Sequence, residues 1–218
     1  MEKLILKFLT PLAILSLTAC SSGTSSEISG IDSYTILAGS SFSNNTSDVL
    51  SGIGAVRFNN PLPGVLLNNS FALKAQLDGS INASVTVIFN SNDLNVGTGT
   101  GISIKLYRTG ASVYASIGVN GNWVDVNSAI TNMYAPLALD LIFDIHNNTG
   151  SSNKTRVLIW RRAYSPYAAS TADVDTNSAG DLTSAYPGTQ QAAGLYTGLH
   201  LDNATVTAAQ VGTANILN

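Results

Sequence analysis

The chain has 218 residues, a formal net charge of −3 and only 11% charged residues. That length allows one domain of ordinary size with a substantial core once a leader is removed, and makes a second full domain unexpected. Sparse and slightly acidic charge excludes nucleic acid as a partner, because phosphate binding needs clustered positive charge.

At the N-terminus, Lys3 and Lys7 supply a positive region, Leu4 to Leu17 an apolar run broken by Pro11, and Thr18-Ala19 the small residues of a cleavage site. The run is shorter than the roughly 20 residues that a bilayer-spanning helix needs, so it reads as an export signal. The single cysteine of the chain, Cys20, follows directly. Leu17-Thr18-Ala19-Cys20 resembles the lipobox of bacterial lipoproteins. That resemblance implies a diacylglyceryl thioether on Cys20, cleavage before it, and further acylation of the new amino group. Each buried methylene contributes about 0.8 kcal/mol, so two or three chains hold such a protein on a bilayer. In this family an Asp after the cysteine acts as a retention signal; Ser21 is not one, and an outer-membrane location is expected. The mature domain then has no disulfide and relies on packing alone.

From Ser21 to Ser33 the residues are small and polar without apolar period. A flexible coil of roughly 13 residues spans about 20 Å, enough to lift a domain clear of the headgroups. The expected organisation is a leader over 1–19, a lipidated cysteine and tether over 20–33, and one β domain over 34–218.

From Tyr34 onward short runs alternate apolar with polar residues. Phe71, Leu73, Ala75 and Leu77 form one such run; Val85, Val87 and Phe89 form the next. Ile102, Ile104 and Leu106 lead through Arg108-Thr109-Gly110 into Val113, Ala115, Ile117 and Val119, the clearest hairpin of the chain, and Asn120-Gly121 turns it into a third strand at Trp123. Leu139, Leu141, Phe143 and Ile145 pair with Arg156 to Trp160. Ser165 to Thr189 lacks period, and a loop of that length is often functional. Gly194 to Asp202 and Ala204 to Val211 read as two closing strands, whereas Val49 to Ile53 and Ser128 to Met133 each suit a single helical turn.

Nine or more short antiparallel strands imply an all-β, two-sheet sandwich or jelly roll, since a sheet must bury one face against another. The order of segments FALKAQLDGS, VTVIF, GISIKLYRTGASVYASIGVNG, LDLIFDIHNN with TRVLIW, and AGLYTGLHLDNATVTAAQV is similar to concanavalin A-like or laminin G-like sandwiches over about residues 45–213. An immunoglobulin-like sandwich accounts for the alternation nearly as well. Many glycoside hydrolases of the concanavalin-like class use paired glutamates. The chain departs from that pattern, because its sole glutamate after the leader is Glu27, in the tether.

Other chemistry is thinly supported. His146 and His200 each lie two residues from an aspartate, Asp144 and Asp202, without a G-x-S-x-G elbow or zinc spacing. Asp140 and Asp144 read as solvated outward positions. Asp173, Asp175, Asn177 and Asp181 place oxygen donors at the spacing of a calcium loop, but Ser178 and Ser184 stand where an EF-hand has Gly and Glu. Calcium there competes with a plain polar loop. Tyr114, Trp123, Trp160 and Tyr196 are candidate stacking surfaces for a glycan or contacts for an envelope protein. A non-catalytic binding module is the favoured expectation, a structural or accessory surface lipoprotein the alternative, and a glycan-active enzyme the third.

Overall fold

The computed structural model describes residues 29–59, 68–79, 82–91, 94, 101–110, 112–119, 122–130, 138–146, 156–161, 172–176 and 196–212. Among them are thirteen strands: β1 (Gly30–Ile31), β2 (Tyr34–Ile36), β3 (Ser41–Asn45), β4 (Leu50–Phe58), β5 (Asn68–Leu77), β6 (Ser84–Ser91), β7 (Ile102–Thr109), β8 (Ser112–Val119), β9 (Asn122–Ile130), β10 (Ala138–His146), β11 (Arg156–Arg161), β12 (Val174–Asp175) and β13 (Tyr196–Gly212). The expected all-β class holds, and no helix occurs among the described residues. Cys20 and most of the tether fall outside them.

Two layers form, joined by one strand. The first runs β13-β6-β7-β8-β9, the second β13-β5-β10-β11-β12, and every pairing within them is antiparallel. The 17-residue β13 belongs to both. Its first part pairs with β6 from Tyr196 to Asp202, and its second with β5 from Ala204 to Gly212. The switch falls at Asn203, whose φ of 51° suits an Asn side chain, and the register against β4 shifts there. Asp78 closes the corner by donating its N–H to the Asn203 carbonyl at 3.0 Å. The two closing strands expected from the sequence are therefore one bent strand, because the bulge interrupts the alternation without breaking the ladder.

Strand β4 follows the same bend along β13 from Arg57↔Gly198 to Leu50↔Val206. It bends at Gly52 and Gly54, with φ of 131° and 149°. Glycine adopts these angles without steric cost. The helical turn expected at Val49 to Ile53 is thus a strand, as is Ser128 to Ile130 at the end of β9. On the outer side of β4, β2 and β3 complete the edge. Gly30 and Ile31, within the stretch read as tether, pair in parallel with Ala208 and Ala209.

The core lies between the layers and follows from period-two alternation. Val85, Val87 and Phe89 on β6 and Ile102, Ile104 and Leu106 on β7 face Phe71 and Leu73 on β5 and Leu141, Phe143 and Ile145 on β10. Phe71 is central to it. Its ring lies 5.7 Å from Phe58, 5.9 Å edge-on from Phe89 across the layers, and 6.1 Å from Phe143. A second, smaller cluster sits on the outer face of the other layer, where Ala72, Ile142, Leu158, Trp160 and Ala208 are buried together with Ala172 against them.

Candidate functional site

The outer face of the first layer is made by the residues that alternate with the core. On β7 these are Ser103, Lys105 and Tyr107; on β8 they are Tyr114, Ser116 and Gly118. Strand β6 adds Ser84, Thr86 and Ile88, and β13 adds Gly198, His200 and Asp202. Register then fixes rows across the strands. One row reads Trp123, Gly118, Ser103, Ile88, Gly198 and Arg57 from β9 to β4; the next carries Ser116, Lys105, Thr86, His200 and Ala55. A third places Tyr107 beside Ser84, which faces Asp202.

Three aromatic rings gather on this face by geometry that the turns dictate. The tight β7–β8 turn, with Gly110 at φ 63°, sets Tyr107 directly opposite Tyr114, and their rings stack at 5.9 Å and 27°. Such pairs contribute beyond their burial. Lys105 Nζ stands 6.0 Å from the Tyr107 ring centre. Trp123 lies opposite Gly118, and a Cβ built there would sit 2.9, 3.0 and 3.1 Å from its Cδ2, Cε2 and Cε3. Three nearly equal distances mean that the indole lies flat on the β8 backbone. Its opposite face is turned away from the sheet. Gly118 and the Tyr114 position are four residues apart, about 13 Å along the strand. Between the rings lie Ser103 and Ser116, which are buried, as are Ser84, Thr86 and Ile88 further along this face.

At the other end of this sheet Tyr196 packs under Arg57, whose guanidinium carbon is 4.4 Å from the ring centre. His200 stands between Thr86 and Ala55. Burial lowers its pKa below the ordinary 6.5, with Asp202 opposing that shift and Lys105 reinforcing it. The unfolded chain therefore takes up this proton first on acidification. The site's stability contribution is whole above about pH 6.5 and is lost as pH falls through the folded value. Melting temperatures measured from pH 7.5 to pH 5 are expected to fall less in His200→Asn than in the wild type; parallel curves would remove His200 as a cause.

Of the four aromatics expected from the sequence, Tyr114, Trp123 and Tyr196 share this face. Trp160 does not. It is 2% exposed within the outer cluster of the second layer, because β11 is flanked by β10 and β12 and covered on both faces. Asp144, read as solvated, is 5% exposed on that same layer. Residues that the sequence reading passed over are Tyr107, Gly118 and Arg57. Counting back from the hairpin turn pairs Tyr107 with Tyr114, a signal that was available; Arg57 was hidden by the glycines of β4.

The aspartates of the proposed calcium loop have other partners. Asp173 accepts from Arg161 Nη2 at 2.8 Å and from its backbone N–H at 2.9 Å, while Asp175 accepts from Arg156 Nε and Nη2 at 2.9 and 2.7 Å. These forks complement a guanidinium rather than a hard dication. Asn177 and Asp181 lie outside the described residues, and among the described residues no group of three metal-ligating side chains occurs. The side chain of His146 also lies outside them.

The fold is an antiparallel, concanavalin A-like β-sandwich. No protein-family model matches the chain, and no curated protein sequence is similar to it. Among solved structures, the exoplasmic/lumenal domain of VIP36 in a Ca2+/Man3GlcNAc-bound form is similar, with TM-score 0.50 and 13% identity over 78% of this chain and 80% of that one. Its metal-free form has TM-score 0.50 and 13% identity over 77% and 80%. The carbohydrate binding module CBM66 from Bacillus subtilis has TM-score 0.45 and 8% identity over 84% and 96%. At these identities the likeness concerns the fold.

Proposed function

We propose that this is an exported bacterial lipoprotein, held on the outer membrane through acylated Cys20, whose sandwich binds a saccharide at the outer face of β6–β9 and β13 and catalyses nothing. The observation that carries the reading is the flat seating of Trp123 on Gly118 beside the stacked Tyr107–Tyr114 pair. A ring held flat by the backbone presents one apolar face at little further entropic cost. One fold hosts many functions, so the argument rests on these residues; the VIP36 domain in its glycan-bound form only shows that such a sandwich can carry sugar. Binding without turnover agrees with the single glutamate beyond the leader, Glu27. Calcium is not assigned a role at Asp173 and Asp175.

Two measurements test the reading. Metabolic labelling with a palmitate analogue is expected to mark the wild type and not Cys20→Ser, and retention of label would refute the anchor. A glycan array probed with the mature lipoprotein in detergent is expected to give binding that falls about fivefold or more in Trp123→Ala, since an aromatic stacking contact is worth about 1 kcal/mol or more. Gly118→Val, which lifts the indole off the strand, should act in the same direction. Binding indifferent to both changes would defeat the aromatic-face reading, and capture of an envelope protein instead of glycan would favour the accessory alternative.

A further inference from the structure

We propose that the saccharide bound on this face is anionic, and that Arg57, stacked on Tyr196, receives its carboxylate or sulfate substituent; this rests on the saccharide-binding reading above. Every other arginine among the described residues has acceptors. Arg156 and Arg161 hold aspartates in two-pronged pairs, and Arg108 donates to the carbonyls of Gly110 and Asp78 at 2.7 and 3.0 Å. Arg57 differs. Its Nε is buried with no hydrogen-bond partner, although a buried donor left without an acceptor is costly.

The surroundings prepare that guanidinium for an oxyanion. Stacking on Tyr196 fixes its plane, and a guanidinium so held is suited to a planar anion, which Arg binds with two bonds. Leu94 lies over Gly198, where an added Cβ would be 2.9 Å from Leu94 Cδ1, and so sets an apolar wall in the same row as Arg57. Thr35, directly opposite Arg57 on β2, donates its hydroxyl to Asn59 Oδ1 at 2.6 Å, and Asn59 Nδ2 donates to Ser33, so the β2 side of Arg57 is polar. An anion there lies away from the acids of this face, since Asp125, opposite Ser116 on β9, is five strands from β4. Asp202 stands four residues from Gly198, about 13 Å along the strand, and accepts from Asn203 Nδ2 at 2.9 Å. Lys105, three strands away and one row along on the same face, is a second cation about 16 Å distant. A chain of net charge −3 attracts an anion only through such local clustering.

The test compares three oligosaccharides of equal length, one neutral, one uronate-bearing and one sulfated, binding to the mature lipoprotein in detergent. At low ionic strength the anionic ligands are expected to bind about ten- to hundredfold tighter than the neutral one, the range of a charge-assisted hydrogen-bonded contact. Arg57→Gln is expected to abolish that preference, and Arg57→Lys to restore only a part, while Trp123→Ala weakens all three alike. The better of the uronate and sulfate arms identifies the substituent. Should Arg57→Gln fail to fold, salt titration of the wild type replaces it: the preference must shrink as salt rises. Equal binding of charged and neutral ligands, or a preference that survives Arg57→Gln or high salt, overturns the anionic inference and leaves saccharide binding standing. Binding of none of the three, with none on the wider array, overturns both.

Discussion

Phe71→Ala is expected to destabilise the domain by about 3–5 kcal/mol, the cost of emptying a fully buried phenylalanine site. The ring touches Phe58 on β4, Phe89 on β6 and Phe143 on β10, so its loss opens a void at the point where both layers and the bent edge meet. Relaxation is limited because all three partners are themselves completely buried. At roughly 2–4 °C per kcal/mol for a domain of this size, the melting temperature should drop by about 6–20 °C. Phe71→Leu, which keeps most of the volume, should cost far less. A drop of under 3 °C for the alanine variant would show that the layers are not clamped there.

The second large effect is expected at Gly54. An alanine Cβ at this position would clash with the Ser40 Cβ and come within 2.6 Å of its Oγ and 2.7 Å of its Cα, at a φ of 149°. Ser40 cannot yield, because its hydroxyl donates to the Ala55 carbonyl at 3.1 Å and accepts from the Ala55 N–H at 3.0 Å. Strain and overpacking together predict a loss of about 3 kcal/mol or more for Gly54→Ala. Gly39→Ala is the informative control. Its φ is 84° but nothing lies within 4 Å of the added carbon, so only backbone strain of about 1 kcal/mol applies. Equal losses at the two positions, measured by chemical denaturation, would assign the effect to φ alone and refute the packing argument.

Much of the sandwich was legible because alternation is a direct imprint of a half-buried sheet. Phe71 to Leu77, Ile102 to Leu106 and Leu139 to Ile145 each appear as strands with the inward residues anticipated, and the Arg108-Thr109-Gly110 turn makes the hairpin expected of it. The sequence misled where a strand bends. At Leu50 to Phe58 two glycines replace the side chains that would have marked the alternation, and at Asn203 an extra residue reverses its phase. Burial by a neighbouring strand is equally invisible from one chain segment, which is why Trp160 and Asp144 looked outward. For the site, individual aromatics could be read but not their company. The seating of Trp123 depends on Gly118 one strand away, and that of Arg57 on Tyr196, some 139 positions later in the chain.

The strand that belongs to both layers also governs when the molecule can become itself. Residues 50–58 of β4 find their partner only at residues 198–206, and β5 and β6 likewise wait for β13 to fill the seam between them. Until that late segment is present, neither sheet has its central neighbour and the corner cannot close. Pairings this distant in sequence make folding slow, since loop entropy is lost before contacts form. For a polypeptide proposed to be threaded through a membrane, such delay is useful: the chain stays loose during passage and locks only after its closing strand has crossed.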